Sequence, residues 1–261
     1  MPGTQFTWTF SFLLSVISSI FISLCGIFPL LIIPFENGEY LESKKGQKNL
    51  KRWLSFSVGT LLADVFTHIY PEALSEMDIS GVNHCSISPF LFGILLFFAI
   101  EKFLINEGNQ KSQIEAYLNL CANVLDNFTH GVAIGASFVV SINLGILTTV
   151  CIMLHEIPHE IADFVILLRS GFSRWKAAKA QLMTASVCVM GTLFAKMAHH
   201  GKIFNYSTSN LLLFSAGGFL YIALCSLLPC FLAEKYKKES LIQICLLTLG
   251  IAATGTMSLL Q

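Results

Sequence analysis

Apolar runs long enough to cross a bilayer recur eight times along these 261 residues, at approximately 8–34, 53–75, 88–105, 116–141, 145–169, 174–198, 209–233 and 239–260. A helix needs about 20 residues to span the hydrocarbon layer. Only 12% of the chain is charged, half of the roughly 25% that covers a soluble globule. The expected class is therefore an all-α, polytopic membrane protein of eight transmembrane helices, organised as one domain over 1–261. The longest polar stretch, Glu36–Arg52, has nothing in it resembling a core. The first run lacks a basic leader and is too long for a signal h-region, so it reads as a retained helix.

Charge sets the orientation. Eight spans divide the connections into two sets. One, around 36–52, 106–115, 170–173 and 234–238, carries fourteen Lys and Arg residues; the other carries only Lys196 and Lys202. Basic residues stay on the cytosolic side. Both termini are then lumenal or extracellular, and the loop 36–52 is cytosolic. Net charge is zero, and no nucleic-acid partner is expected. Cys25, Cys121, Cys151, Cys188, Cys225, Cys230 and Cys245 lie in apolar runs and read as small apolar residues.

Ionisable groups in mid-membrane cost about 2.5–3.5 kcal/mol each on insertion, so those that persist mark a site or a pathway. The fourth run carries Asp126, Asn127 and His130; the fifth carries His155, Glu156, His159, Glu160 and Asp163. Counted from opposite membrane faces, Asp126 and His155 both lie about 15 Å deep at 1.5 Å rise per residue. Asp126/His130, His155/His159 and Glu156/Glu160 are each four apart and share helix faces. Imidazole and carboxylate donors without thiolates suit zinc, iron(II) or manganese rather than a closed structural zinc site. Pro158 has no N–H to offer the Leu154 carbonyl, so a helix kink is expected there. Asp64, His68 and Glu72 form a stripe from mid-membrane to the lumenal end. Glu160 and Asp163 descend the other way. Together they outline two half-pathways. His84, His199 and His200 are candidates for collecting metal at the lumenal mouth.

The stretch HEIPH over 155–159 also fits the zinc-protease pattern, with two histidines as ligands and Glu156 as general base. Three features oppose that reading. Proline interrupts the motif, a neighbouring helix already supplies Asp126 and His130, and no distant Leu-Asp-Gly-type segment offers another ligand. A purely structural membrane protein is the other alternative. Neither accounts for eight polar groups at one depth as well as a metal pathway does.

Asp126-Asn127-Phe128-Thr129-His130-Gly131 followed by HEIPHE (155–160) resembles the signature pair of the ZIP (Zrt/Irt-like) metal transporters. GVAIGASF (131–138), ADFVILLRSGFSRWKAAKAQLMTA (162–185) and GTLLADVFTHIYPEAL (59–74) are similar too. Most members read His-Asn-x-x-Asp in span four; the swapped Asp-Asn-x-x-His resembles the vesicular, Golgi-resident branch. The resemblance implies a transporter rather than an enzyme, with zinc as cargo and no cofactor; iron or manganese remains an alternative cargo. It implies a Golgi, ER or vesicle membrane rather than the plasma membrane. The lipid bilayer, a divalent metal ion and, as an open alternative, a second copy of the chain are the implied partners. By position it implies a metal site of Asp126, His130, His155 and His159, and an adjoining one of Asn127, Glu156 and His159 beside Glu160. It also implies that spans one to three repeat, inverted, as six to eight. Two departures stand out. The histidine-rich loop between spans three and four is absent, and span six offers Gln181 where some members place a carboxylate.

Overall fold

The computed structural model describes residues 2–33, 43–75, 87–106, 110–198 and 204–258. His84, His199, His200 and the first half of the 36–52 loop lie outside them. Every regular element among the described residues is helical. In chain order these are α1 (Pro2–Cys25), α2 (Phe28–Ile32), α3 (Lys44–Asp64), α4 (Tyr70–Ser75), α5 (Ser88–Asn106), α6 (Lys111–Val140), α7 (Ile142–Arg169), α8 (Arg174–Ala185), α9 (Val187–Ala198), α10 (Phe204–Tyr221), α11 (Pro229–Leu232) and α12 (Lys237–Ser258). Turns of π-helix, Val65–Ile69 and Ile222–Leu227, join α3 to α4 and α10 to α11.

Among the described residues five stretches are long and apolar enough to cross a membrane: Phe10–Ile32, Ser88–Ile105, Arg174–Met197, Ser209–Leu232 and Lys237–Thr256. The chain is a multi-pass membrane protein. The remaining apolar runs, at 53–75, 116–141 and 145–169, fall in α3–α4, α6 and α7. These are the helices that carry most of the buried ionisable groups, which is why composition alone sets them apart. Outward faces present bare apolar side chains, such as Phe92 and Leu95 on α5, Met190 and Met197 on α9, and Leu241 and Ile244 on α12. Lipid tails solvate such faces as well as a protein interior would.

Local chemistry explains where the helices start and bend. Ser43 caps α3, its hydroxyl accepting from the Gly46 N–H at 3.0 Å. The second half of the expected 36–52 loop is therefore helix. Arg52 grips Glu239 of α12 through two N–H groups, at 3.1 and 3.0 Å, and Lys48 reaches the same carboxylate at 2.8 Å. Both π turns end just before a proline. The Tyr70 N–H donates to the Val65 carbonyl ahead of Pro71, and the Leu228 N–H to Ala223 ahead of Pro229. A proline ring clashes with the carbonyl four residues back, and widening that turn relieves the clash. Pro158, by contrast, sits inside α7, which remains α-helical from Ile142 to Arg169.

α3 runs against α12, α5 against α10, and α6 against α9. At the first two crossings glycines face each other. A Cβ on Gly59 would lie 2.1 Å from the Leu247 carbonyl oxygen, and one on Gly93 would lie 2.2 Å from that of Phe214. Only a missing side chain permits so close an approach. The α3–α4 and α10–α11 connections thus share a π turn before proline. The α1–α2 and α8–α9 pairs share a break, at Gly26–Ile27 and at Ser186.

α7 is the hub. Its second half, Ile161 to Leu168, is buried along its whole circumference against α3, α6 and α12. Phe164, Ile166 and Leu167 are fully enclosed with Leu61, Phe219 and Ile222.

Candidate metal centre

α6 and α7 are joined by a single extended residue, Ser141, which ends α6 and caps α7 by accepting from the Leu144 N–H at 3.1 Å. The connection is tighter than the expected 142–144 loop. Asp126 and His155 lie at nearly equal distances from this link along two antiparallel helices, roughly 20 Å at 1.5 Å per residue. A tight hairpin with polar groups at matched distances forces them to meet.

They do meet, and α3 joins them. His130 Nε2 lies 3.2 Å from Asp126 Oδ2, 3.4 Å from Glu156 Oε2 and 3.2 Å from His155 Nε2. His159 Nε2 is 3.8 Å from Asp64 Oδ2, and its Nδ1 is 3.6 Å from Asp163 Oδ2. The His68 ring stacks 4.0 Å from His155, centroid to centroid, and its Nε2 reaches Glu72 Oε2 at 3.5 Å. Three groups bring one donor atom from each residue within 4.8 Å of the others: His68, His130 and His155; Asp64, Asp126 and His159; Asp126, His130 and Glu156. Asp64 and His68, expected on the way in, therefore also contribute to the centre. The π turn at Val65–Ile69 carries His68 inward beside Asp64, where both are buried. Such turns recur at functional sites.

Two expected residues sit apart from these groups. Asn127 donates to the carbonyl and side-chain oxygens of Asn123. Glu160 accepts from Gln181 of α8, which also donates to the Glu160 carbonyl at 2.7 Å. The pattern of four that exposed the other ligands also runs through Glu115, Asn119, Asn123 and Asn127, all fully buried on α6. Of these only Asn127 is singled out by the sequence, because it lies inside the motif between Asp126 and His130.

Charge balance is the decisive property of the centre. Asp64, Asp126, Glu156, Glu160 and Asp163 are all buried. Among the described residues their ion-pair partners are histidines, with no lysine or arginine. Both carboxylate oxygens of Asp64 and of Glu156 lack a hydrogen-bond partner among the described residues, as do Asp126 Oδ1 and Asp163 Oδ1. Buried polar atoms are nearly always bonded, and anions clustered without a fixed cation repel one another. A mobile cation resolves both problems. A cavity of about 450 Å³ leads from one end of the bundle between Thr148, Cys151 and Glu72 down to His68. Gly131, beside His130, lets α6 and α9 close over the far side; a Cβ there would fall 1.9 Å from the Cys188 carbonyl oxygen.

The sequence as a whole agrees with this chemistry. A family model described as ZIP zinc transporter matches residues 10–113 and 105–260. The chain belongs to the ZIP family. Among its relatives are proteins named zinc transporter ZIP13. The one from Pongo abelii is 45% identical over 262 residues, covering 94% of this chain and 78% of the relative. That from Danio rerio is 39% identical over 304 residues, covering 95% and 86%. That from Homo sapiens is 38% identical over 305 residues, covering 94% and 80%. The ZIP motif pair is thus the pair of polar turns that face each other across the α6–α7 hairpin.

Proposed function

We propose that this chain moves zinc across a membrane toward the cytosol, from a secretory-pathway lumen or from outside the cell. The observation that carries the reading is the buried, cation-deficient cluster shared by α3, α6 and α7. As a ZIP transporter it has zinc as substrate and needs no resident cofactor. The three polar helices complete an eight-span bundle with both termini lumenal. Its lysine-rich end, where α3, α6 and α12 begin, faces the cytosol. Glu72 and His68 then line the lumenal approach through the 450 Å³ cavity. Asp64, Asp126, His130, His155, Glu156 and His159 hold the ion at mid-depth. Asn127 and Glu160 adjoin it, and Asp163 begins the way out.

Mixed imidazole and carboxylate donors exchange ligands faster than a thiolate cage, which suits a carrier that must release its ion. With a cavity on the lumenal side and Glu160 and Asp163 fully buried on the other, the conformation fits the lumen-facing half of an alternating-access cycle. The same donors keep iron(II) or manganese as a second cargo, since geometry and availability decide among such metals more than affinity does. The likeness to proteins named ZIP13 and the swapped Asp-Asn-x-x-His motif favour a Golgi or vesicle membrane.

Metal flux into proteoliposomes tests this, with zinc, iron(II) and manganese offered singly and in competition to wild type, Asp126→Ala and His159→Ala. Zinc flux in the wild type and its loss in both variants is the expected result. Undiminished flux in His159→Ala sinks the site assignment. Peptide cleavage without flux would return HEIPH to the proteases.

A further inference from the structure

The centre does not end at Asp163. On α6 the side chains of Asn123, Asn119 and Glu115 follow one another at four-residue steps toward the lysine-rich end, and each is fully buried. Asn123 donates to Asp163 Oδ2 at 2.5 Å. The Asn119 amide also donates toward the Asp163 carboxylate, which leaves its Oδ1 without a hydrogen bond. Both carboxylate oxygens of Glu115 are likewise without a hydrogen bond. At 1.5 Å per residue this stripe extends the polar centre by roughly 18 Å beyond Asn127. Below Glu115 the environment changes abruptly. Arg169 Nη1 lies 3.2 Å from it and Lys111 Nζ 3.9 Å from it, and these two cations are partly exposed.

We infer that the stripe Asp163, Asn123, Asn119, Glu115 is the release path of the ion, that Glu115 is its last carboxylate, and that Arg169 is the plug that closes it. This rests on the transport reading above and deepens it. A purely structural ion-pair network would satisfy its buried atoms; this one leaves Asn119 Oδ1 and Asp163 Oδ1 without a hydrogen bond along a line that starts at the cargo site. A divalent cation arriving at Glu115 meets a guanidinium already seated there. Two cations at such a distance in a poorly screened interior repel strongly. Release therefore requires Arg169 to leave Glu115. The plug has somewhere to anchor as it moves, because its Nη2 already donates to Cys230 Sγ at 2.8 Å.

Zinc flux in proteoliposomes and zinc-induced thermal stabilisation, measured side by side, test the assignment in Asn119→Leu and in the double variant Glu115→Gln/Arg169→Met. Replacing both charges together avoids stranding one of them, so the double variant stays informative if Asn119→Leu misfolds. Flux at least tenfold below wild type, with zinc stabilisation unchanged, is the expected result in each variant that folds. Flux within twofold of wild type in either would overturn the path, and so would loss of zinc stabilisation along with flux, since that would assign these residues to building the centre. A wild type that binds zinc but moves none would instead fail the transport reading itself.

Discussion

Two clusters of buried acids divide this molecule, and the difference between them lies in who supplies the positive charge. At the α3–α6–α7 centre the ion-pair partners of four carboxylates, Asp64, Asp126, Glu156 and Asp163, are histidines among the described residues. Toward the lysine-rich end, Glu101 and Glu115 are just as buried but come with built-in cations. Lys111 Nζ lies 3.2 Å from Glu101, Arg169 lies 3.2 Å from Glu115, and the Ser226 hydroxyl donates to Glu101 at 2.9 Å. Lysine and arginine keep their charge and stay tethered, so the second cluster is complete without an ion. Histidine is a neutral ligand as readily as a cation, so under the proposed function an arriving ion completes the first. A bare list of buried acids would treat the two alike.

Removing the fixed cation should have the largest effect on stability. Arg169→Ala leaves Glu115 buried beside a half-exposed lysine, and breaking a buried pair in this way costs about 3–5 kcal/mol. Thermal unfolding in detergent or nanodiscs should show a marked fall in Tm that zinc does not repair. An unchanged Tm would mean that Lys111 suffices and would erase the distinction between the clusters.

The centre should respond to the cargo instead. At a zinc concentration one hundred times Kd, the wild type should gain about 2.7 kcal/mol of stability by mass action. Glu101→Gln should keep that gain, while Asp126→Ala and His159→Ala should lose most of it. Equal zinc stabilisation of all three variants would place the ion elsewhere. The smallest effect sharpens the end cluster alone. Ser226→Ala removes one hydrogen bond to an otherwise paired Glu101 and should cost about 1 kcal/mol, with no change in zinc response.

Much of the centre was legible in the sequence because helix geometry is local. Asp126 and His130, like His155 and His159, share a face by spacing alone. Their common depth followed from counting along two antiparallel runs, and the one-residue link at Ser141 made that count hold in space. Asp64 and His68 read as a stripe on a third helix, with no sign of how that helix lies against the hairpin. Their place beside Asp126, His155 and His159 needed α3 to approach α7 and the π turn before Pro71 to carry His68 inward. Asn119 and Asn123 follow the same four-residue pattern, but an amide costs less to bury than a charge and is satisfied by a neighbouring helix more often than it marks a site. Glu101 lies near the end of its apolar run, where a charge carries no sequence signal of burial. Only its neighbours on α6 and beside α11 make it a buried partner.

The sequence by itself determined that the chain is a helical membrane protein, which two helices oppose their polar turns, and which family it resembles. Hydrophobic length, four-residue spacing and motif identity are properties of single helices, and a single helix can be read from its letters. Only the tertiary structure decided which carboxylates face fixed cations and which wait for a mobile one. That depends on side chains contributed by helices far apart in the chain, at distances of 3–4 Å that no spacing rule encodes.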